Sequence, residues 1–380
     1  MKKPLRTGYT TGACAAAAAR GAALMLARQE TVAEVTIELP AGISATFPLY
    51  GQEFGPGSAA CFVVKDAGDD PDVTNGAEVH AKVSLTPALS QGGREQEIFI
   101  TGGTGIGKTT KPGLAVAPGE WAINPVPRRM ITEAVAGAFT PHPPSFNLSV
   151  VISIPDGEQR ARKTLNARLG IIGGLSILGT SGIVRPISAK AWTDTVDAAL
   201  DVARACGCAT VVLSTGRTSE MAAQNFMHHG GAHCDVPNRG VRRHAPTPLP
   251  EEAYIMMGDH VAHTLAACAE RGYLRPIIAC QFAKLLKIAC GHENTHAAAS
   301  ELDLSRLRSW AEEARLPLPL RALIRQAHTA REIAQESGFD RNLLDVTCRQ
   351  AWAAAQGHAP GIQAEFQVAD YAGNIVYCSS

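Results

Sequence analysis

The sequence has no excess of charge of either sign, no long apolar run and no paired cysteines. Lysine plus arginine and aspartate plus glutamate number 35 each, so the charge balance gives no reason to expect a nucleic acid or a membrane surface as partner. No run of about 18 apolar residues occurs, which argues against a transmembrane helix. The ten cysteines are scattered without a Cys-x-x-Cys pair and fit buried free thiols in a reducing cytoplasm.

Aromatic residues are few, at 5%, and charged residues make up only 18%. Because alanine and glycine abound, this composition is typical of a tightly packed soluble enzyme rather than a disordered or fibrous chain. The length of 380 residues predicts two domains. At the basic N-terminus, the polar TGYTTG block and Arg20 interrupt the small apolar residues, so we predict no secretory signal.

The first half of the chain predicts an α+β domain over residues 1–188. Thr10 and Thr11 can cap a helix that runs through the alanine block to about Gln29. Short β-branched runs broken by Gly, Pro, Asn and Asp then predict a mostly antiparallel sheet over residues 32–101. A second helix is expected within PVPRRMITEAVAGAF, and LSVVISIP predicts a further strand.

In the second half, over residues 189–380, helices and strands alternate. This order predicts an α/β Rossmann-like domain with a mainly parallel sheet. The predicted strands are ATVVLS, LRPIIACQ, QAEFQVAD and NIVYC, and a helical stretch runs from about Leu302 to Gln356. Since ligands of such sheets bind beyond the carboxyl ends of the strands, the loops after Ser214 and Cys280 are the expected binding loops.

The glycine-rich segment, residues 166–186, reads NARLGIIGGLSILGTSGIVRP and holds five glycines among Ile, Leu and Val. Glycines at this frequency indicate backbone that turns tightly or lies directly against a ligand. Arg168 and Arg185 can donate to carboxylates, so the segment would suit a large, flat, acidic ligand. A turn between buried strands with two solvated arginines accounts for the pattern equally well.

A second segment, VVKDAGDDPDVTNG, crowds Lys65 and four aspartates after an apolar strand. Mutual repulsion in such a cluster can raise the pKa of one carboxyl and so provide a base. The alternative is an Asx-rich turn that satisfies its own backbone. A calcium site is disfavoured because the ligand spacing of an EF-hand loop is absent.

Two short motifs match known signatures. GGTGIGKT fits a phosphate-binding P-loop, but such a loop must open into a helix, and Pro112 and Gly113 follow too closely. HENTH, residues 292–296, fits the zinc signature His-Glu-x-x-His, but no third ligand follows at a suitable spacing. We therefore predict neither a nucleotide site nor a protein-bound metal.

Five blocks in order resemble the cobalt-precorrin-5B C1-methyltransferases of anaerobic cobalamin biosynthesis. They are LRTGYTTGACAAAAA, KDAGDDPDVTNG, TKPGLAV, INPVPRRMI and TLNARLGIIGGLSILGTSGIVRP. The resemblance covers Leu5 to about Pro186 and returns more weakly around AKLLKIACGHENTH. It departs from the family's usual pattern at GDHVAHTL and CQFAKLLK.

The resemblance implies methyl transfer from S-adenosylmethionine to C1 of a cobalt corrinoid, giving cobalt-precorrin-6A, in the cytoplasm. A flat tetrapyrrole with many carboxylates would then occupy the first domain and the cofactor the second. The residues expected to hold the substrate are Arg6, Lys65, Lys111, Arg128, Arg168, Gly173, Gly174 and Arg185. Asp66 or Asp69 would assist proton removal. The cofactor is expected near Ser214, Thr215, Gly216 and Arg217.

Two other functions stay open from the residues alone. One is a P-loop nucleotide hydrolase or kinase, and the other is a non-catalytic carrier that binds the corrinoid but not S-adenosylmethionine. A homo-oligomer is compatible with the sequence, which does not determine the oligomeric state.

Overall fold

The computed structural model describes residues 5–86, 97–140, 147–229 and 248–379. The chain divides into two compact units, Met1–Ser188 and Ala189–Ser380. The elements of the first unit are β1 (Gly8–Tyr9), α1 (Thr11–Arg28), β2 (Glu34–Leu39), β3 (Ile43–Pro48), β4 (Tyr50–Gly55), β5 (Ser58–Val64), β6 (Glu78–Thr86), β7 (Ile98–Gly102), β8 (Lys108–Thr109), α2 (Pro125–Ala138), β9 (Asn147–Ser153), α3 (Gly157–Ala161), β10 (Ile171–Ile172) and β11 (Ile183–Val184).

The alanine block forms the central helix of this unit, as predicted. Thr10 caps α1 by accepting a hydrogen bond from the Ala13 amide at 3.2 Å, and the helix ends at Gln29 in a left-handed conformation. Residues 13–19 are fully buried because α1 packs against α2 and across β5 and β6. Small side chains allow this close approach on several sides of one helix.

The main sheet of the first unit has the strand order β4-β5-β6-β9-β7. The pairs from β4 to β9 are antiparallel, which confirms the prediction for most of the sheet. The pair of β7 with β9 is parallel instead. Helix α2 lies in the connection between these two strands, and a crossover of that length permits parallel pairing. β2 and β3 form a separate antiparallel hairpin.

The second unit contains a five-stranded sheet with helices along the chain between its strands. Its elements are α4 (Ala189–Ala205), β12 (Val212–Ser214), α5 (Arg217–His228), a 3₁₀ turn (Glu251–Ala253), β13 (Tyr254–Met256), α6 (Val261–Glu270), β14 (Ile277–Gln281), α7 (Phe282–Ala289), α8 (Leu304–Glu313), α9 (Leu318–Gln326), α10 (Ala330–Glu336), α11 (Arg341–His358), β15 (Glu365–Ala369) and β16 (Ile375–Cys378).

The strand order of this sheet is β13-β12-β14-β15-β16. The first three pairs are parallel and the last is antiparallel, so the sheet is mainly parallel as predicted. The sequence reading missed β13 because its YIM sequence holds a single β-branched residue, whereas ATVVLS, which contains the equally short β12, holds three. The predicted helical stretch from Leu302 to Gln356 consists of four helices, three of which begin at side-chain caps provided by Asp303, Thr329 and Asp340.

The direction of winding reverses at the centre of this sheet. From β12 the chain passes through α5 to β13 on one side, and from β13 it passes through α6 to β14 on the other side of β12. Met227 of α5 packs with Val212 on one face, and Leu265 of α6 packs with Leu213 on the opposite face. Such a reversal opens a crevice at the carboxyl ends of β12 and β14, the usual ligand position in doubly wound sheets.

Among the described residues, no helix has the length and apolar character needed to cross a membrane.

Candidate functional site

The acidic loop, residues 65–76, follows β5 and meets the N-terminal segment. The Arg6 guanidinium donates to both carboxylate oxygens of Asp66, one of them at 2.9 Å. The Arg6 amide donates to Asp69 Oδ2 at 2.7 Å. Three residues that the sequence singled out are therefore neighbours, and the side chains of Arg6 and Asp66 are 59% and 49% exposed.

In the acidic loop, the pKa values of Asp66 and Asp72 are lowered rather than raised. The hydrogen bond from Arg6 holds the pKa of Asp66 below its ordinary value. For Asp72, burial raises the pKa, but the interactions with Lys65 and Thr74 together outweigh burial, so the net shift is downward. The expectation that mutual repulsion creates a base here is wrong for these two groups, because each carboxylate has its own donors.

Lys65 differs from the other cationic residues among the predicted substrate contacts because it is buried. Its side chain is 1% exposed, and Nζ lies 2.6 Å from Asp72 Oδ2. Thr74 supports the same carboxylate through its amide at 2.7 Å and its hydroxyl at 2.6 Å. This burial argues against direct contact with a substrate carboxylate, so the expected role of Lys65 is corrected to holding the loop in place.

Arg160, which the sequence reading did not select, ties the acidic loop to α3. Its guanidinium donates to the carbonyls of Val73 at 2.6 Å and Asn75 at 2.9 Å, and to Asp156 at 2.7 Å. A single arginine in a short helix carries no signal that distinguishes it in the sequence. Arg128, on α2, donates to the Ile100 carbonyl at 3.1 Å and is not among the neighbours of Arg6 described above.

The glycines of the glycine-rich segment mostly accommodate the chain itself. A Cβ on Gly174 would lie 2.2 Å from the carbonyl oxygen of Gly105, so only glycine fits there. Gly170, Gly179 and Gly182 likewise face Lys111, Thr10 and Leu39. Gly173 is different: its φ is 88°, and a Cβ there would meet no atom within 4 Å. The prediction of close backbone contact with a ligand therefore applies best to Gly173.

Exposed apolar residues and two cationic residues occur in and beside the glycine-rich segment. Ile172 is 52% exposed and Leu178 is 49% exposed. Lys111 lies along Gly170 and donates from Nζ to the Arg168 carbonyl at 3.2 Å, so its ammonium group lies at the start of the segment. We call Lys111, Arg168, Ile172, Gly173 and Leu178 the glycine-rich surface. It combines an apolar face with positive charge, which suits a flat acidic ligand.

The far end of the glycine-rich segment meets the acidic loop. β11 pairs with β1 in antiparallel register, with Val184 opposite Gly8. Arg185, the next residue after Val184, therefore lies at the same end of this strand pair as Thr7. The Ile187 amide donates to Asp70 Oδ1 at 2.9 Å. The two segments from which the sequence predicted substrate contacts are therefore neighbours at this end.

The P-loop match does not form a phosphate loop. Lys108 lies in β8, opposite Ile172 of β10, and its Nζ lies 4.6 Å from the centre of the Trp121 ring. Turns and bends follow at residues 111–116 where a P-loop requires a helix. As expected from Pro112 and Gly113, the chain does not continue from Lys108 into the helix that a phosphate loop needs.

HENTH is likewise not helical, so its two histidines do not share one helix face. His296 Nδ1 accepts a hydrogen bond from the Ala298 amide at 3.2 Å. Within the described ranges, no group of three or more His, Cys, Asp or Glu side chains is placed to hold a metal ion.

The predicted cofactor residues lie at the crevice of the second unit. The Ser214 carbonyl accepts the amides of Met257 at 3.0 Å and Gly258 at 3.2 Å, so the loop after β13 folds over the end of β12. Ser214 is fully buried, and its Oγ has no hydrogen-bond partner among the described residues. Gly216 caps α5, and a Cβ there would meet nothing within 4 Å.

Arg217 begins α5 with a guanidinium that is 68% exposed. It donates at 2.9 Å to Glu220, whose side chain is fully buried. The first turn of α5 therefore presents backbone amides and the Arg217 guanidinium, next to the open space at Gly216. Such an arrangement favours binding of a negatively charged group of a ligand.

The sequence reading missed Asp259 and Lys284, which stand at the same edge of the sheet. Lys284 donates to Asp259 Oδ1, and the Thr295 hydroxyl donates to the same oxygen at 2.6 Å. Burial raises the pKa of Asp259, but the hydrogen bonds from Lys284 and Thr295 lower it further, so the net shift is downward. GDHVAHTL and CQFAKLLK hold the two residues, and neither segment has a recognisable motif.

Comparison with known proteins gives consistent matches over the chain. The family model CbiD matches residues 1–186, and the model for the CbiD C-terminal domain matches residues 294–380. A cobalt-precorrin-5B C(1)-methyltransferase of Pelobacter propionicus is 64% identical over 384 residues, covering 99% of this chain and 96% of its own length. The protein of that name from Geobacter metallireducens is 56% identical, with 99% of both chains covered.

A solved structure is also similar. It is the 1.9 Å crystal structure of a cobalamin biosynthesis protein (cbiD) from Archaeoglobus fulgidus, with 28% identity, 81% of this chain and 84% of that chain covered, and a TM-score of 0.39.

Proposed function

The chain belongs to the CbiD family, and on this premise we propose that it methylates C1 of cobalt-precorrin-5B, giving cobalt-precorrin-6A in cobalamin biosynthesis. The observation that carries the proposal is the 64% identity, over almost the whole chain, to a protein named for this reaction. The P-loop alternative is not favoured, because residues 111–116 are not helical.

The methyl acceptor is assigned to the first unit. The exposed Ile172 and Leu178 and the open position at Gly173 suit the flat face of a tetrapyrrole. Lys111 and Arg168 at one end of the segment, and Arg185 and Arg6 at the other, suit carboxylates on its rim. Positioning is the main catalytic task, since a methyl transfer needs the accepting carbon aligned with the donor carbon.

The methyl donor is assigned to the crevice of the second unit and is S-adenosylmethionine, which supplies an electrophilic methyl group when bound. The residues present fit such a ligand. Ser214 offers a buried hydroxyl without a partner among the described residues, and Gly216 leaves free space at the start of α5. Thr215 and Arg217 complete the loop, and the amides of α5 can hold the ligand's carboxylate.

Asp66 or Asp69 is assigned to the removal of a proton from the methylated product. Because Arg6 lowers the pKa of Asp66, this carboxylate stays ionised at neutral pH and is able to accept a proton, although as a weak base. Asp66→Asn is then expected to slow turnover with little change in substrate affinity, since the group acts mainly in the transition state.

The test is incubation of the protein with cobalt-precorrin-5B and methyl-labelled S-adenosylmethionine, followed by mass spectrometry of the corrinoid. One labelled methyl group on the macrocycle is the expected result. A corrinoid that binds but never gains the label would favour the carrier instead. Release of phosphate from ATP in a separate incubation would favour the hydrolase.

A further inference from the structure

The crevice of the second unit has two walls made by different elements. From β12 the chain turns to the face covered by α5, whereas from β13 and β14 it turns to the opposite face through α6 and α7. Gly216 and the first turn of α5 therefore form one wall. The other wall contains Asp259, just after β13, and Lys284, in α7.

The Asp259–Lys284 pair crosses the end of β12. In the sheet, β12 lies between β13 and β14, so an ion pair from the loop after β13 to the helix after β14 spans the carboxyl end of the strand between them. The side chains of Lys284 and Asp259 are 30% and 23% exposed, so the pair is partly open to solvent. A carboxylate is thereby held at the crevice.

Among the described residues, hydrogen-bond donors reach only one oxygen of this carboxylate. Lys284 and Thr295 both donate to Oδ1, whereas Oδ2 accepts no hydrogen bond from any described residue. Thr295 is fully buried, and its amide also donates to the Asp259 carbonyl at 3.0 Å, so the backbone of Asp259 is fixed as well. An ionised, oriented carboxylate with one free oxygen is suited to hydrogen-bond donors of a ligand.

An exposed indole lies beside it. Trp192 is 42% exposed, and its Nε1 donates to the Met257 carbonyl at 3.0 Å. Its ring lies against Gly258, where a Cβ would come within 3.0 Å of three ring atoms. A large apolar ring in contact with the residue next to Asp259 provides a surface on which a planar base can stack.

We propose that Asp259 and Trp192 recognise the nucleoside part of the methyl donor, the carboxylate accepting from its ribose hydroxyls and the indole stacking against its base. This inference depends on the proposed function, which supplies the donor. Lys284 and Thr295 are positioning residues in this arrangement, since they act on the ligand through Asp259.

The test measures binding of S-adenosylhomocysteine and 5′-methylthioadenosine by calorimetry, with the full-length protein. We expect Asp259→Asn to weaken both ligands at least about tenfold, as for a lost charge-assisted bond. Trp192→Leu should weaken both about five- to a hundredfold, the range of base–aromatic stacking. Both ligands carry the nucleoside, but only S-adenosylhomocysteine has an amino acid part.

The chain offers matched controls. Asp201 pairs with Arg271 at 2.8 Å, at the end of α6 away from the crevice, and Trp352 of α11 is 47% exposed. Asp201→Asn and Trp352→Leu should leave both affinities unchanged. In the unmodified protein, saturating S-adenosylhomocysteine should also slow carbodiimide modification of Asp259 but not of Asp201, a measurement that does not depend on a folded variant.

The outcomes distinguish failure of the assigned cofactor from failure of the nucleoside inference alone. If the unmodified protein binds neither ligand, the assigned cofactor and this inference both fail. If it binds them but folded Asp259→Asn binds equally well, or if Asp259 is not protected, only the inference fails. A loss of S-adenosylhomocysteine binding with normal 5′-methylthioadenosine binding would overturn nucleoside recognition and assign Asp259 to the ligand's ammonium group.

Discussion

The glycine-rich segment and acidic loop of the first unit stand out in the sequence, whereas the crevice of the second unit is assembled from inconspicuous residues. In the first unit, Gly174 accommodates Gly105, and Lys65 is buried against Asp72. In the second, Asp259, Lys284 and Trp192 come from three separate segments and meet at one sheet edge. Conspicuous patterns thus often serve the chain's own packing, whereas polar and aromatic side chains from distant positions can meet at one sheet edge.

The largest expected effect concerns the two ion pairs of the acidic loop. Asp72→Ala should reduce the stability of the first unit by about 3 to 5 kcal/mol, because it leaves the buried Lys65 ammonium without its carboxylate. Arg6→Ala removes an exposed pair and should hardly change the melting temperature. Thermal unfolding followed by circular dichroism measures both.

The double variant Asp72→Ala, Lys65→Met is the control, and it should recover much of the lost stability because no charge is left buried. Equal effects of Asp72→Ala and Arg6→Ala would contradict the structural role given to Lys65.

The next largest effect is a difference in stability between substitutions at two adjacent glycines. Gly174→Ala should destabilise the protein by about 2 to 4 kcal/mol, because the new methyl group would clash with the Gly105 carbonyl. Gly173→Ala meets open space and should cost only about 1 to 2 kcal/mol for the left-handed backbone. Urea unfolding of both variants gives the comparison, and a larger loss of stability for Gly173→Ala would contradict the open space beside Gly173.

A smaller effect is expected for arginines on the substrate rim. Arg168→Ala and Arg185→Ala should each weaken binding of the corrinoid by about 1.5 to 3 kcal/mol, the scale of a charge-assisted hydrogen bond. Binding of S-adenosylhomocysteine should stay the same, because the donor is assigned to the other unit. Separate titrations of the two ligands test this, and normal corrinoid affinity in both variants would remove these arginines from the site.

The smallest effect concerns Lys108. Its ammonium lies over Trp121 in a strand rather than in a phosphate loop, so Lys108→Ala should leave methyl transfer largely intact. ATP should bind neither protein at micromolar concentration. Calorimetric binding of ATP that disappears in the variant would revive the P-loop interpretation.

The fold was predictable where local pattern determines structure. The alanine helix with its Thr10 cap, the alternating strands of the first sheet and the helices of the second unit all followed from spacing and caps. β13 was not predictable because its YIM sequence holds only one β-branched residue, and the parallel pairing of β7 depends on a distant partner, β9.

The candidate site was predictable only in part, because burial and pairing of its side chains depend on contacts between residues that are distant in the sequence. Residue types identified Arg6, Asp66 and Asp69, which do meet. They could not reveal that Lys65 is buried or that Arg6 lowers the pKa of Asp66, because both depend on tertiary contacts. Asp259 and Trp192 escaped notice because each is unremarkable in its own segment.

The most direct test of the central claim is hydrogen–deuterium exchange on the full-length protein with each ligand added alone. With S-adenosylhomocysteine, we predict slowed exchange at residues 214–220 and 257–260 and no change at residues 168–178. With the corrinoid, the reverse is predicted. Protection of the glycine-rich surface by S-adenosylhomocysteine, without protection of the sheet-edge crevice, would contradict the assignment of donor and acceptor to the two units.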